Sequence, residues 1–403
     1  MNLRSKNGHA LEFGIIICLF GTQLSRLLME VLSITFNTTN LVFVIGLLLL
    51  VPFGREQKNF FVMDKKMFVI LIYQLFVLLY ATWSGAALFN SLTGTAYTWF
   101  CIAFLMLMNW NSGDSFDGET FVRLGWWLLG IGATLLCWVA SNGLRQFTTI
   151  MRLSNGSDRL TLSVIAFGFL VFFLCYKPLS IVEKVLGYIF VIFSIIDVYL
   201  CTRKGVLISF VVVLILHFYR IEKKVNVKQL FKIIMTAIIL FVAMIVILNR
   251  IPAVSTAISD FWGLIKNSVL GYLGKADGLY NSGAGRNSSR NALIYEMQNR
   301  FSLLEIIFGK GYAYKDIDFP YLEAFSDFGV MGGVFFLYVA LLIPVKLILK
   351  NESDSAVRFA QYYALIAIFQ NVYSGLPFGH YKFIPIIFLV WMISQKNALQ
   401  NVE

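Results

Sequence analysis

The sequence is poor in charged residues, in histidine and in paired cysteines. The shortage of charged residues and the lack of cysteine pairs each exclude a class of protein. Charged residues make up only 14% of the 403 residues, against 58% hydrophobic ones, whereas a soluble chain carries about 25% charged residues. The five cysteines lie singly with no C-x-x-C spacing, so neither a disulfide framework nor a zinc site is predicted. The three histidines are His9, His217 and His380.

Long apolar runs dominate the chain, and its mean hydropathy is +0.75. Runs of about 20 apolar residues satisfy their own backbone hydrogen bonds as membrane-spanning helices. The sequence therefore predicts an all-α polytopic membrane protein: about twelve spans, nine within residues 1–251 and three within 328–403, separated by a large extracytoplasmic loop, 252–327, that contains short helices. The first span lies near the N-terminus, and the others are predicted at 35–53, 67–89, 93–109, 121–141, 160–176, 179–200, 205–219, 230–249, 328–349, 358–376 and 380–396.

The distribution of lysine and arginine over the short loops predicts the orientation. Cytoplasmic loops carry an excess of these residues. The 109–120 loop is acidic although it is predicted on the cytoplasmic side, but acidic residues have little influence in this rule. Both termini are therefore predicted inside and the 252–327 loop outside, and the net charge of +11 indicates helix orientation, not nucleic-acid binding. The basic loops on the side of the N-terminus are 54–66, the Lys177/Lys184 connection, 219–232 and 346–358.

Arginines on the predicted outer side break the charge rule. Arg145, Arg152 and Arg159 lie in one outer connection, and Arg203 follows the 179–200 span. A cation at the outer end of a span is disfavoured, so such an arginine usually has an anionic partner. For Arg152 and Arg159, a side chain that reaches the lipid headgroups is an equal alternative.

The large loop contains an arginine pair. An interfacial helix is predicted at about 258–273, a flexible hinge at 282–285, and a second helix from Arg286 to about Arg300. Arg286 and Arg290 are four residues apart and share a helix face near the N-terminus, which favours an anion such as a diphosphate. The alternative is a pair of solvated surface arginines that pair with acids.

A tight turn at 308–312 is followed by acids and a helix start. Pro320 is predicted at the first helical position, with Glu323 and Asp327 on one face. Because the loop has no histidine or cysteine, a side-chain base in it must be a carboxylate. Asp318 is the leading candidate to accept a proton from a sugar hydroxyl, and the alternative is an acid that only starts the helix.

Five short motifs follow one another between residues 195 and 345. They are Thr202-Arg203-Lys204-Gly205, Gly285-Arg286 with Tyr295 downstream, Phe308-Gly309-Lys310-Gly311-Tyr312, an acid followed by Pro320-Tyr321-Leu322, and Phe328-Gly329-Val330-Met331-Gly332. In this order they resemble the motifs of the O-antigen polymerase and O-antigen ligase superfamily. No histidine stands where the ligase branch usually has one, and Asp318 lies nearest that position, which favours the polymerase branch.

The resemblance implies a glycosyltransferase of the bacterial inner membrane that joins undecaprenyl-diphosphate-linked oligosaccharides on the periplasmic face. Its partners would be these substrates and membrane lipids, with no cofactor and no metal; whether a chain-length regulator is required stays open. An O-antigen ligase that transfers glycan to lipid A-core, or a lipid-linked oligosaccharide flippase or transporter, is the alternative. The expected catalytic residues are Asp318, Arg286 and Arg290, and the expected substrate-binding residues are Arg203, Arg145, Arg159, Tyr295, Tyr312 and Glu323.

Overall fold

The computed structural model describes residues 9–32, 38–52, 63–84, 92–112, 116–142, 157–200, 204–221, 282–373 and 377–400, with the single positions 263, 266 and 270. Over these residues the chain forms helices and no strand. A π-helical turn (Tyr338–Leu342) joins α11 to α12. In chain order the helices are α1 (Ala10–Leu32), α2 (Thr39–Leu49), α3 (Lys65–Ser84), α4 (Leu92–Trp110), α5 (Gly118–Asn142), α6 (Ser157–Cys175), α7 (Ile181–Leu200), α8 (Lys204–Ile221), α9 (Ser282–Asn299), α10 (Leu303–Phe308), α11 (Pro320–Leu337), α12 (Ile343–Ile348), α13 (Ser355–Tyr373) and α14 (His380–Gln400).

The all-helical class predicted from the sequence is confirmed for the described residues. The span predicted at 121–141, for example, is α5. The span predicted at 230–249 and the interfacial helix at 258–273 lie outside the described residues, apart from three helical positions in the latter. The presence of helices long and apolar enough to cross a membrane indicates membrane association. Within the described residues these are Ala10–Leu32, Gly118–Val139 and the continuous stretch Pro320–Ile348.

Two predicted boundaries are wrong. The hinge predicted at 282–285 is helical, because α9 begins at Ser282. Small residues are tolerated in the first helical turn, where the backbone N–H groups need no intrahelical partner. The span predicted at 328–349 has no helix start of its own at 328, because it continues the helix that begins at Pro320, the position predicted for a helix start. Non-helical angles at Gly329 (φ 67°, ψ −170°) then divide α11 into two parts.

By residue contacts the chain divides into two compact units. Residues 1–210 and 303–403 form the first, called here the main unit, and residues 211–302 form the second. The main unit contains α1–α7 and α10–α14, and the second unit contains α9; the boundary between the units falls within α8.

Phenylalanine rings fill the centre of the main unit. Phe20 of α1, Phe172 of α6 and Phe359 of α13 are fully buried, and the rings of Phe172 and Phe359 stack with centroids 3.8 Å apart. The Phe172 ring also lies against Gly125 of α5, where an added Cβ would be 2.1 Å from the ring. A glycine at this position therefore lets α5 and α6 approach closely, as small residues do between membrane helices.

Helix α7 exposes apolar side chains and buries polar ones. Ile181 and Ile192 are 83% and 57% exposed, whereas Ser194 and Asp197 have no exposed surface. This distribution is unfavourable in water and suits an apolar surrounding, in which polar groups turn toward neighbouring helices. The polar groups of α7 accordingly belong to its contacts with α5 and α6.

Candidate functional site

The connection between α10 and α11, residues 309–319, is called here the 309–319 turn, and its backbone adopts strained angles. Positive φ angles occur at Gly309 (80°), Gly311 (119°), Ala313 (55°) and Asp318 (56°). Glycine adopts such angles freely and aspartate more readily than most residues, whereas an alanine in the left-handed region is disfavoured by about 1–2 kcal/mol. Contacts from other elements must therefore hold the turn in this conformation.

Two glycines bring the start of the turn against α11. A Cβ added to Gly309 would lie 2.2 Å from the carbonyl oxygen of Asp327, and one added to Gly329 would lie 2.2 Å from the carbonyl oxygen of Ile307. Both glycines also have positive φ. The close approach of these two backbones therefore requires glycine at both positions.

The break in α11 supplies hydrogen-bond acceptors for the turn. Because Gly329 is not helical, the carbonyl groups of Ser326 and Asp327 lie at the C-terminal end of the first half of α11. The backbone N–H groups of Lys310 and Gly311 donate to these carbonyl oxygens at 2.8 and 3.1 Å, respectively. The backbone carbonyl groups at the end of the first half of α11 thus accept hydrogen bonds from the turn that packs on it.

The Asp327 carboxylate fixes the middle of the turn. Its side chain is fully buried. Oδ2 accepts a hydrogen bond from the backbone N–H of Ala313, and Oδ1 accepts one from that of Tyr314, both at 3.1 Å. The Ser326 hydroxyl donates to Oδ1 at 3.3 Å. Asp327 therefore compensates for the left-handed backbone of Ala313 with two hydrogen bonds.

Glu323, one helical turn earlier on the same face, fixes the end of the turn. Its Oε1 accepts hydrogen bonds from the backbone N–H groups of Ile317 (2.7 Å) and Phe319 (3.0 Å). The side chain has no exposed surface, so in this conformation it does not offer a glycan a contact. Its Oε2 is buried and accepts no hydrogen bond from the described residues. Glu323 acts here as a cap for the N-terminus of α11.

Lys382, in the first turn of α14, is the functional candidate that sequence reasoning missed. Its side chain is fully buried, and the charges of Glu323, Asp318 and Asp316 act on its ammonium group. Its Nζ lies 5.5 Å from the centre of the Tyr381 ring. A lysine inside a predicted span was the available signal, because buried cations in such segments are rare and usually paired.

Aromatic contacts join the turn to the neighbouring helices. The Tyr312 ring stacks on Phe378, just before α14, with centroids 4.1 Å apart. Burial, and secondarily the Asp327 carboxylate, raise the pKa of the Tyr312 phenol, which stays neutral. The hydroxyl of Tyr80 on α3 donates to the carbonyl oxygen of Phe308. Tyr312 thus lies inside the packing of the main unit, together with Asp318 and Glu323.

Asp316 and Asp318 are the carboxylates of this cluster that reach the surface, and Asp318 is the more buried of the two. Its side chain is half-buried, and its backbone N–H donates to Oδ1 of Asp316 at 3.2 Å. Pro320 begins α11 two residues later. With Glu323 and Lys382 buried behind it, Asp318 is the carboxylate of the cluster best placed for a molecule that approaches the end of α11.

The arginine pair lies on α9 in the second unit. Arg286 and Arg290 are both half-buried, and residues four apart in a helix have Cβ atoms about 5–6 Å apart on one face. The first turn of α9 contains no acidic residue. The N-terminal half of α9 therefore combines two guanidinium groups with the positive end of a helix dipole.

The remaining predicted residues fall into two groups. Tyr295 is on α9 and is 60% exposed. Arg145 and Arg203 lie outside the described residues. Arg159 is in the first turn of α6, but its side chain is outside the described part as well. The structure therefore brings Asp318, Tyr312 and Glu323 together in the main unit, and Arg286, Arg290 and Tyr295 onto one helix of the second.

Among the described residues, no group of three or more histidine, cysteine, aspartate or glutamate side chains is arranged to hold a metal ion. No family model matches the chain, and no curated protein matches it in sequence.

Proposed function

We propose that the chain is a membrane glycosyltransferase of the O-antigen polymerase kind, which joins undecaprenyl-diphosphate-linked repeat units of a surface polysaccharide. The observation that carries the proposal is the half-buried Arg286 and Arg290 pair on one face of α9. Guanidinium groups bind phosphate oxygens in a bidentate manner, and a diphosphate offers oxygens to both. The order of sequence motifs supplies the reaction class.

In this reaction the bond between the anomeric carbon of the donor glycan and the lipid diphosphate breaks, and the diphosphate leaves with the electron pair. A hydroxyl oxygen of the acceptor repeat unit bonds to the anomeric carbon, and its proton passes to a carboxylate. We assign the stabilisation of the leaving diphosphate to Arg286 and Arg290. We assign the proton to Asp318, the half-buried carboxylate at the start of α11.

The proposal assigns different roles to the other predicted substrate contacts. Exposed Tyr295, five residues beyond Arg290 on the same helix, is available for a glycan contact. Buried Tyr312 and Glu323 support the proposal as the framework that holds Asp318 in its left-handed conformation. Arg145, Arg159 and Arg203 are retained as diphosphate or glycan ligands on the sequence argument alone.

The proposal includes a membrane arrangement: about twelve spans in a bacterial inner membrane, both termini cytoplasmic, and residues 252–327 in the periplasm. Ser288, exposed on α9, tests it. In intact cells a Ser288→Cys variant should react with a membrane-impermeant thiol reagent, because α9 would face the periplasm. Asn351→Cys, in the exposed loop before α13 that is predicted to be cytoplasmic, is the matched control and should react only after the cells are opened. The reverse pattern would exclude the arrangement.

The function is tested by the length of the polysaccharide that cells make. A deletion strain should carry lipopolysaccharide with a single repeat unit instead of a ladder on a gel, and the wild-type gene should restore the ladder. Asp318→Asn should restore little of it, since a general base typically contributes about 10²–10⁴-fold to the rate. Asparagine tolerates the left-handed backbone at this position, so the amount of protein in the membrane should not change.

Asp316→Asn is the matched control, because this exposed neighbour keeps an oxygen that can accept the N–H of Asp318. It should restore the full ladder. A full ladder with Asp318→Asn would remove the base from the proposal. A deletion strain with no glycan on lipid A-core would favour a ligase, and one whose lipid-linked repeat units stay on the cytoplasmic side would favour a flippase.

A further inference from the structure

Asp197, near the end of α7, is a buried carboxylate that the proposed function does not use. The side chain has no exposed surface. Among the described residues, neither of its carboxylate oxygens has a hydrogen-bond partner. Ser194, one turn earlier on the same helix, is also fully buried, and its hydroxyl has no partner among the same residues. Two polar groups on one face of α7 are therefore buried without compensation.

Asp327 is equally buried, but its carboxylate has hydrogen-bond donors around it. Both oxygens of Asp327 accept hydrogen bonds from backbone N–H groups. Within the described part of the chain, no such donor reaches Asp197. An ionised carboxylate taken from water without donors or a cation costs far more than its neutral form. The surroundings of Asp197 thus favour the neutral form of its carboxyl group.

The register of α7 against α5 shows what faces Asp197. Phe190 of α7 packs on Gly130 of α5, where a Cβ would lie 2.3 Å from the ring. Seven residues further along both helices, Asp197 lies near enough to the Cys137 thiol for the two groups to interact. The same spacing places Ser194 at the level of Thr134, whose hydroxyl donates to the Gly130 carbonyl oxygen at 3.0 Å. The Thr134 hydroxyl therefore donates its hydrogen bond within α5 and not to α7.

Helix α6, the other neighbour of α7, brings no charge to this level among its described side chains. Phe169 contacts Phe190 with ring centroids 5.6 Å apart, and the antiparallel register puts Leu162 and Ser163 opposite Asp197. Both are buried. The charged residues of α6 are Asp158 and Arg159 in its first turn, whose side chains lie outside the described part. Among the described side chains of α5 and α6, the groups that face Asp197 are thus hydroxyls, one thiol and apolar side chains.

We propose that Asp197 is a proton-binding site: in the closed α5–α7 contact its carboxyl group carries a proton at neutral pH and releases it only when this contact opens to water. A metal ion is a poorer occupant, because hard cations take about six oxygen ligands or more, whereas one carboxylate oxygen suffices for a proton. The ligand is thus a proton, and the site is separate from the residues assigned to glycosyl transfer.

Infrared spectroscopy of the full-length protein in liposomes tests this proposal. At neutral pH, the wild type minus Asp197→Asn difference spectrum should show the carbonyl stretch of one protonated carboxyl group, and ¹³C labelling of aspartate side chains should shift that band. The carboxylate bands should cancel in the difference. If carboxylate bands appear instead of the acid band, Asp197 is ionised and the proposal is overturned.

Asp117→Asn is the matched control, since Asp117 precedes α5 outside the spans. Partial burial raises the pKa of Asp117, but hydrogen bonds from Thr120 and Glu119 outweigh it, so that its pKa lies below the ordinary value. Its difference spectrum should show only carboxylate bands. Should Asp197→Asn fail to accumulate, Asp197→Leu serves: a neutral acid without partners is replaced with no loss of thermal stability, whereas a clear fall in the melting temperature would point to a paired, ionised Asp197 and overturn the proposal.

Discussion

A variant in which Arg286 and Arg290 are both replaced by lysine is expected to make no long-chain polysaccharide while it accumulates normally in the membrane. Lysine keeps the charge but offers a single ammonium group in place of the planar, bidentate guanidinium. A hydrogen bond to a charged group is worth about 1.5–3 kcal/mol. Each substitution should therefore lower the rate by about 10- to 100-fold, and the two together should leave single-repeat glycan only.

A polysaccharide gel with an immunoblot for membrane protein measures this effect. Arg300→Lys is the matched control, because Arg300 is exposed just beyond the end of α9 and away from the pair. It should give a normal ladder. A normal ladder from the double lysine variant would exclude bidentate binding by the two guanidinium groups and leave only the total charge of the helix as the relevant property.

The second large effect concerns folding: Gly309→Ala and Gly329→Ala should each sharply lower the amount of folded protein. The left-handed backbone at either position disfavours alanine by about 1–2 kcal/mol. In addition, each new Cβ would lie 2.2 Å from a backbone carbonyl oxygen, which cannot move aside as a flexible side chain would. Overpacking of this kind typically costs about 1–3 kcal/mol more, against a total stability of roughly 5–15 kcal/mol.

The melting temperature in detergent and the fraction of monodisperse protein measure this loss. Gly285→Ala on α9 is the matched control, because a Cβ there meets nothing within 4 Å and alanine favours the helix by up to about 1 kcal/mol. It should be neutral or stabilising. If Gly309→Ala and Gly329→Ala melt like the wild type, the two backbones do not approach each other as described.

Local sequence patterns predicted the parts of the fold that depend on local physics. Apolar runs bounded by polar residues gave α5 and α14 within a few residues, because a run of that length has few alternatives to a helix. Pro320 at the start of α11 was predicted for the same kind of reason, since its fixed φ suits a first helical position. The hinge at 282–285 failed because small residues are equally compatible with a flexible linker and a first helical turn.

Local sequence patterns did not predict how the residues of the candidate site contact one another. The contact between Gly309 and Gly329 joins positions twenty residues apart in sequence, and no local periodicity reports it. Glu323 was predicted as a substrate ligand on its helix face, which is the face that α11 turns toward the 309–319 turn. Lys382 belongs to a helix more than 60 residues beyond the turn. Sequence spacing can place residues on one face, but it does not say what that face meets.

The hydrogen bonds of the 309–319 turn also set an order of events during biosynthesis. Lys310, Gly311, Ala313 and Tyr314 leave the ribosome before Ser326 and Asp327, which supply every acceptor described for their N–H groups. Until α11 follows, these donors have only water as a partner. The hydrogen bonds of the turn can therefore form only after the first half of α11 has been made, so that the turn and this half of α11 depend on each other for their order.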